Sequence, residues 1–343
     1  MNVLLLHERL GDEAAIDERD ALTQLDFVEG ELTASGHRCR RLAIDLDLES
    51  ARRELMVEPV DLVFNLVESL GGSSRLAHLA PALVEALGLP CSGASSRAFL
   101  ETTDKLQAKR RLLAAGLPTP VWLEPEHAAI GAPPLRTATV SSGWIVKPIF
   151  EDASIDLDDD CVVRDAASAR ARMAEAPRPS FAEAYVEGRE FNLALLEKAD
   201  GVELLPVAEI RFDAWPEGKP RIVGYAAKWQ DESFESRHTP RRFDLPARDA
   251  DLVARLADLA YRCWELFALA GFARVDFRVD EQGRPFILEV NANPCLSPDA
   301  GFAAAAHRAG LSGRDVVKRI LAAARPEYAL SFASTARRSS VSN

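Results

Sequence analysis

The chain of 343 residues carries 41 basic and 53 acidic side chains, a net charge of −12, and is 48% hydrophobic and 27% charged. This length accommodates two or three domains with substantial cores, and the composition is that of a soluble globular protein. The acidic balance and the lack of long basic or membrane-length apolar runs argue against nucleic acid and membranes as partners.

Residues 2–7 read as a buried strand and 21–35 as a helix, with Leu22, Leu25, Val28 and Leu32 at helical spacing and Gly36 as its stop. A short strand over 41–44, an apolar strand over 60–66 (VDLVFNL) and a helix over 76–87 complete an alternating pattern. That pattern predicts a doubly wound, Rossmann-like α/β unit across 1–95, with ligands at the carboxyl ends of its strands. Acidic residues follow those strand ends: Glu8, Asp12, Glu13 and Glu18, and later Glu68. Of these, Glu8, Asp12 and Glu13 read as a solvated loop.

A helix is expected over 97–115, containing Lys105 and closed by Gly116 and the Pro118-Thr119-Pro120 break. Residues 121–134 read as a strand and loop, 144–148 (WIVKP) as a strand carrying Lys147, and 151–160 (EDASIDLDDD) as an acidic loop without glycine. Residues 180–186 (SFAEAYV) form a strand, and the chain up to Lys228 reads as antiparallel sheet. An amphipathic helix spans 246–270; after a hairpin, two helices close the fold, the second capped by Ser312 and ending before Pro326. The last stretch, 329–343, lacks periodicity and reads as a disordered tail. The five scattered cysteines, Cys39, Cys91, Cys161, Cys263 and Cys295, have no CxxC spacing, and the N-terminus lacks the features of a signal peptide, so reduced thiols in a cytoplasmic protein are expected.

The most informative stretch is 272–297, read as two strands joined by a turn at Asp280-Glu281-Gln282-Gly283. Alternation puts Val275, Phe277 and Val279 on one face with Phe286, Leu288 and Val290, and leaves Arg274, Asp276, Glu289 and Asn291 on the other. Two carboxylates and an amide oxygen are costly to bury unpaired, and their hard oxygens suit Mg²⁺, which completes its shell with water and phosphates. A solvated face with an incidental ion pair explains the same pattern equally well.

The segments CSGASSRAFLETTDK, IVKPIFEDAS, FAEAYVEGREF, YAAKW, RVDFRVD and LEVNANP, in this order, resemble the ATP-grasp superfamily, and within it the D-alanine–D-alanine ligases, over residues 1 to about 326. The chain has 34 Arg but seven Lys, and three of the seven fall at that family's nucleotide positions. The resemblance implies an α/β (α+β) ATP-grasp fold: an N-terminal pre-ATP-grasp domain (1–95), a central subdomain (96–185), and a C-terminal subdomain (186–328) with the hairpin. It implies ATP and two Mg²⁺ ions, with Mn²⁺ as a substitute. Lys105 and Lys147 would contact the α- and β-phosphates and Lys228 the γ-phosphate, under a loop containing Glu151 and Ser154. Glu183, Ala184 and the Val186 backbone would hold adenine, and Glu190 the ribose. Asp276, Glu289 and Asn291 would bind the metal, and Arg274 would stabilise the acyl phosphate and the tetrahedral oxyanion. Ile145, Leu288 and Val290 read mainly as core near the adenine, and His238 and Cys295 as structural.

The departures concern the substrate. The family's Glu-Gly-Ser-Ser-x-Gly loop is here Glu151-Asp152-Ala153-Ser154-Ile155-Asp156, and without glycine its closure must be built differently. A serine and a tyrosine beside the first substrate are Ala153 and Trp229, and Glu18 is the candidate for the glutamate that joins them. The serine for the second substrate's carboxylate aligns with Ala300, and Leu-His-Gly is replaced in the stretch Asn65-Leu66-Val67-Glu68. The expectation is therefore an ADP-producing carboxylate–amine ligase, in the family's common homodimeric form, acting on small-molecule carboxylate and amine substrates other than two D-alanines. A nucleotide-binding protein without ligase activity and an ATP-grasp kinase are the competing readings.

Overall fold

The computed structural model describes residues 1–11, 16–125 and 142–324, with only the backbone of Asp17 and Glu18. The tail at 329–343, the loop acids Asp12 and Glu13, and all but the start of the segment expected over 121–134 lie outside the described residues.

The first unit alternates β1 (Asn2–Glu8), α1 (Ile16–Ala34), β2 (Arg38–Ile44), α2 (Leu48–Leu55) and β3 (Leu62–Asn65), and its parallel strands lie in the order β2-β1-β3. The apolar runs Val3–Leu6 and Leu62–Phe64 are buried, as parallel strands covered on both faces require. Helix α2 is not among the expected elements; it buries Ala51 and Leu55 and is started by Asp47, which accepts from Ser50 N–H at 3.0 Å.

Next come α3 (Leu79–Ala86), α4 (Ser96–Thr103) and α5 (Lys105–Ala114). The helix expected as one piece over 97–115 is broken at Asp104, whose ψ of 95° leaves the helical region while its carboxylate caps Gln107 N–H at 3.0 Å. Lys105 is therefore the first residue of a helix and not an interior one.

Four short strands, β4 (Trp122–Leu123), β5 (Trp144–Pro148), β6 (Val162–Val163) and, after α6 (Ala166–Glu175), β7 (Ser180–Ala184), form an antiparallel sheet in the order β4-β7-β5-β6. The remaining elements are β8 (Arg189–Lys198), β9 (Gly201–Leu204), β10 (Ala208–Ile210), α7 (Tyr225–Trp229), α8 (Phe234–His238), β11 (Arg241–Arg242), α9 (Ala250–Leu266), β12 (Phe272–Val279), β13 (Pro285–Asn291), α10 (Gly301–Arg308) and α11 (Gly313–Ala323). Strands β11-β10-β8-β12-β13, with β9 beside β8, make the second antiparallel sheet. The sheet expected up to Lys228 ends at Ile210: Pro216, Gly218 and Pro220 interrupt pairing, and Lys228 sits in the short helix α7.

The β12–β13 hairpin has the expected turn, with Gly283 at φ 72° and its N–H donating to Asp280 O at 2.9 Å. Its register differs from simple alternation. Asp276 pairs with Glu289 but Phe277 pairs with Ile287, so a bulge leaves Leu288 extra. Ile287, not Leu288 or Phe286, consequently joins Val290 in the core.

One core packs Leu256, Ala260 and Cys263 of α9 against Phe191, Val275 and Phe277, with Ala98 and Leu112 of the α4–α5 pair. Another joins Val3, Leu5 and Phe64 of the first sheet to Phe302 and Ile320 through Leu196 and Phe272. Because α5 also supplies Leu106 to a small cluster with Ile149 and Phe181, the sheets border a common cleft. Among the described residues no helix is long and apolar enough to cross a membrane.

Gly188 fixes the entry to β8: its φ is 142°, and a Cβ at this position would lie 2.1 Å from Val279 O. Gly188→Ala is expected to lower unfolding free energy by ~2–4 kcal/mol, read by chemical denaturation, since both strain and overlap must be relieved.

Candidate active site

The carboxyl ends of β1 and β3, the edge of the four-stranded sheet and the polar face of β8, β12 and β13 surround a cavity of about 1480 Å³. Lys147, Glu151, Ser154, Glu183, Ala184, Val186, Glu190, Lys228, Arg274, Asp276, Glu289 and Asn291 all line it. Lys105 lies just behind the wall, buried, donating to Glu151 O at 2.7 Å and pairing with Asp152 at 3.1 Å. For Glu18, in the first turn of α1, the side chain lies outside the described residues. Ile145 is buried at the cleft wall, Leu288 faces the cavity through its bulge, and Val290 is core.

At one end, Glu183 of β7 is held between two lysines. Lys147 on the neighbouring β5 lies 2.5 Å from Oε1 and Lys109 of α5 lies 2.6 Å from Oε2, with Lys109 and Glu183 each only 1% exposed. Lys109 also donates to Thr119 Oγ at 2.8 Å. Burial raises the Glu183 pKa, but Lys109 and Lys147 outweigh it and hold the carboxyl below its ordinary value. Burial likewise lowers the Lys109 pKa. Lys109 is a site residue that the sequence reading does not single out; its signal there is the scarcity of lysine and a spacing of four from Lys105, which puts both on one side of the helix. Glu190 is paired at 2.9 Å with Arg278; burial raises its pKa, aided by Asp276 and opposed by Arg278.

At the hairpin end the charges are denser. Arg274 grips Asp276 through two 2.8 Å bonds, Nε to Oδ1 and Nη2 to Oδ2, and Asn192 of β8 donates to the same Oδ1 at 2.8 Å. Glu289 lies opposite Asp276 across the ladder, and Asn291 opposite Arg274. The Oδ1 of Asn291 accepts from Asn293 N–H at 2.9 Å, which aims the side chain and leaves a second lone pair. Asp152 and Glu289 stand close enough to shift each other's titration in opposite directions. Burial, with Glu289 beside it and against the pull of Lys105, pushes Asp152 up to about 6. Glu289 goes down: burial would raise it, but Lys105, Asp152, Arg274 and Lys228 prevail.

Asp152, Asp276 and Glu289 gather negative charge at one end of the cleft that a divalent cation would neutralise. The set of Asp276, Glu289 and Asn291 is made of hard oxygens and fits Mg²⁺. No cluster of three or more His, Cys, Asp or Glu forms a metal cage among the described residues; Mg²⁺ seldom uses one and draws on substrate phosphates instead. Lys228 reaches into the open cleft on α7, where surrounding protein and then Arg274 lower its pKa against the pull of Glu289 and Asp276.

The loop after β5 answers the missing glycines. Ala153, Ser154 and Asp156 adopt φ of 59°, 60° and 59°, in the left-handed region that glycine favours. Each such non-glycine residue costs about 1–2 kcal/mol, least for Asp. The conformation is offset by three contacts: Trp229 Nε1 to Ala153 O at 2.8 Å, Ser154 Oγ to Val223 O at 2.7 Å, and Arg178 to Asp156 at 2.6 Å. The turn is thus formed without glycine, with support from the segment before and within α7. Ser154 Oγ is occupied by this contact, and Glu151 accepts from Ser74 Oγ at 3.1 Å.

The end of the cleft at the first sheet is acidic. Glu8 is buried, which corrects its reading as a solvated loop residue. Burial and then Glu8 push Glu68 up to about 8, while Gln24 donates to it at 2.9 Å. Asp20 accepts from Ser297 Oγ at 2.9 Å and from the Cys295 thiol at 3.1 Å, tying the segment after β13 to α1.

Residues 115–322 match the family model described as the D-ala D-ala ligase C-terminus. The D-alanine–D-alanine ligase of Moorella thermoacetica is 30% identical over 303 residues, covering 86% of this chain and 91% of that protein. That of Albidiferax ferrireducens is 31% identical over 248 residues, covering 72% and 67%. The uncharacterized protein y4sG of Sinorhizobium fredii is 30% identical over 272 residues, covering 78% and 75%. The solved structure of the Bacillus anthracis D-alanine–D-alanine ligase complexed with ATP superposes with a TM-score of 0.71 at 18% identity, covering 94% of this chain and 97% of that one. Together with the sheets and helices above, this gives the chain the ATP-grasp fold.

Removing Glu183 would leave the buried Lys109 and the half-buried Lys147 without their counter-charge. Glu183→Gln is expected to destabilise the protein by ~3–5 kcal/mol. Because its pKa is depressed on folding, this carboxylate contributes fully above its ordinary value of 4.5 and loses that contribution as pH falls below it. The substitution should therefore also flatten the fall of Tm on the acid side of pH 4.5, measured by thermal unfolding over a pH series.

Proposed function

The chain belongs to the D-alanine–D-alanine ligase family, and from that membership we propose an ATP-dependent carboxylate–amine ligase whose substrates are not two D-alanines. The observation that carries the ligase reading is Arg274, clamped on Asp276 beside Lys228 at the polar hairpin. A guanidinium held there is surplus to nucleotide binding and suits an oxyanion that forms during acyl transfer.

In this reading Glu183, Ala184 and the Val186 backbone bind adenine, and Glu190 binds the ribose. Lys105, Lys147 and Lys228 neutralise the triphosphate, under the loop that carries Glu151 and Ser154. Asp276, Glu289 and Asn291 hold Mg²⁺, two ions in the fullest form, which supplies charge neutralisation at the phosphates. A substrate carboxylate oxygen attacks the γ-phosphorus, the bond to ADP breaks, and an acyl phosphate results. An amine then attacks the acyl carbon, Arg274 stabilises the oxyanion, and phosphate leaves as the amide forms. Glu18 is the remaining candidate for orienting the first substrate's amine.

The altered-substrate reading is supported by Ala153, Trp229 and Ala300. Trp229 spends its indole N–H on Ala153 O, so it closes the loop instead of presenting a hydroxyl to substrate. Each missing hydrogen bond to a substrate group costs ~1–3 kcal/mol in recognition, and several together remove useful affinity for D-alanine.

ADP and phosphate release measured against panels of D- and L-amino acids tests this. The expected result is amine-dependent turnover with at least one pair other than D-alanine with itself. Robust turnover with D-alanine alone would contradict the altered substrate. ADP with a phosphorylated product and no phosphate would favour a kinase, and nucleotide binding without ADP a non-enzymatic role.

A further inference from the structure

We propose that Arg241 is the specificity residue that reads an anionic group, a carboxylate, on the amine substrate; the inference rests on the ligase reading above. Register puts it in the site. Arg241 of β11 pairs with Ile210, which pairs with Glu190, which pairs with Arg278, so these four side chains share the cleft face of the six-stranded sheet. The next residue, Arg242, points to the other face.

Position along the edge strand then sets what Arg241 can reach. Its Nη1 donates to Asp299 O at 2.8 Å, and its Nε lies 4.0 Å from where a Cβ on Gly301 would be, so the guanidinium is braced against the start of α10. Asp299, Ala300 and Gly301 line the cavity with it. This is the same end of the cleft at which Arg274 stands and where an amine must arrive.

Its charge is the unusual feature. Arg274 is neutralised by Asp276 and Arg278 by Glu190. Among the described residues, Arg241 forms no ion pair with a carboxylate, and its guanidinium donates to a neutral carbonyl. Arg241 is exposed on the edge strand at the cleft, where nearby protein and then Arg274 lower its pKa and Asp299 offsets them in part. Two guanidiniums facing one cavity, one of them lacking a counter-ion, are relieved by an anion between them. The planar fork of Arg241 has donors left over for a bidentate carboxylate. The side-chain hydroxyl expected for this duty in the family is absent at Ala300, and Arg241, braced against the residues on either side of Ala300, supplies a charged donor in its place.

The test uses the full chain as wild type, Arg241→Met and Arg241→Lys, with each amino acid of the panel supplied as free acid and as its carboxamide. ADP release is expected to show the carboxamide of an active amine substrate with KM raised ~10- to 100-fold over the acid in wild type. Arg241→Met should raise KM for the acid by a similar factor, change kcat far less, and erase the preference of acid over amide; Arg241→Lys should be intermediate. KM for ATP and Tm should hold, which separates the effect from misfolding. An unchanged acid-to-amide ratio in Arg241→Met, or a fall in kcat without a change in KM, overturns the proposal. If no amino acid supports ADP release, the amino-acid ligase reading fails by itself. Arg241 is then read by thermal shift with ADP and Mg²⁺: acids that raise Tm in wild type but not in Arg241→Met support the assignment, and acids that do no better than their amides overturn it.

Discussion

Charge placed in an enclosed cleft has to be balanced within a few ångströms, and the grip of Arg274 on Asp276 is the centre of that balance here. The two residues alternate onto the same face of one strand, and their paired 2.8 Å bonds fix a carboxylate that Asn192 also engages. Glu289, the cross-strand partner of Asp276, draws in Lys105 and Asp152, and Lys105 in turn anchors the loop at Glu151. The loop, the helix pair and the hairpin are thus connected through one electrostatic network. Buried pairs of this kind add little net stability over an apolar core, yet breaking one member is costly. They hold geometry, which is what a reaction among anions needs.

The loop between Glu151 and Asp156 shows how a left-handed turn can be built without glycine. Three non-glycine residues in the left-handed region store strain, and the contacts from Trp229, Ser154 and Arg178 hold it. Trp229 follows Lys228 directly in α7, so the residue that braces the loop and a lysine facing the cleft sit on the same short helix. At this position the indole N–H is committed to loop support.

Much of the site is legible in the sequence because it depends on short-range periodicity. Alternation alone groups Arg274, Asp276, Glu289 and Asn291, and the register confirms that they share the hairpin's polar face. The bulge at Leu288 is not legible, since it is defined by a partner strand and not by the residue itself. Helix α6 leaves a weak hydrophobic signature because Ala169 is its one buried residue, whereas α2 carries Leu48, Ala51 and Leu55 at helical spacing over only eight residues and is easily passed over. The break at Asp104 is written in a capping residue inside an otherwise continuous helical pattern. Lys109 gives little away because its partner, Glu183, is 74 residues distant in the chain (183 less 109) and only the fold brings them together. The left-handed turn at Ala153 and Ser154 runs against local preference and is imposed by tertiary contacts.

A network of this kind, if it drives activation of a carboxylate by phosphoryl transfer, must move an oxygen from substrate to phosphate. The most direct measurement supplies the carboxylate substrate labelled with ¹⁸O and analyses the released phosphate by mass spectrometry. An acyl phosphate route transfers one labelled oxygen from the carboxylate to each phosphate. Unlabelled phosphate accompanying ADP would contradict the account.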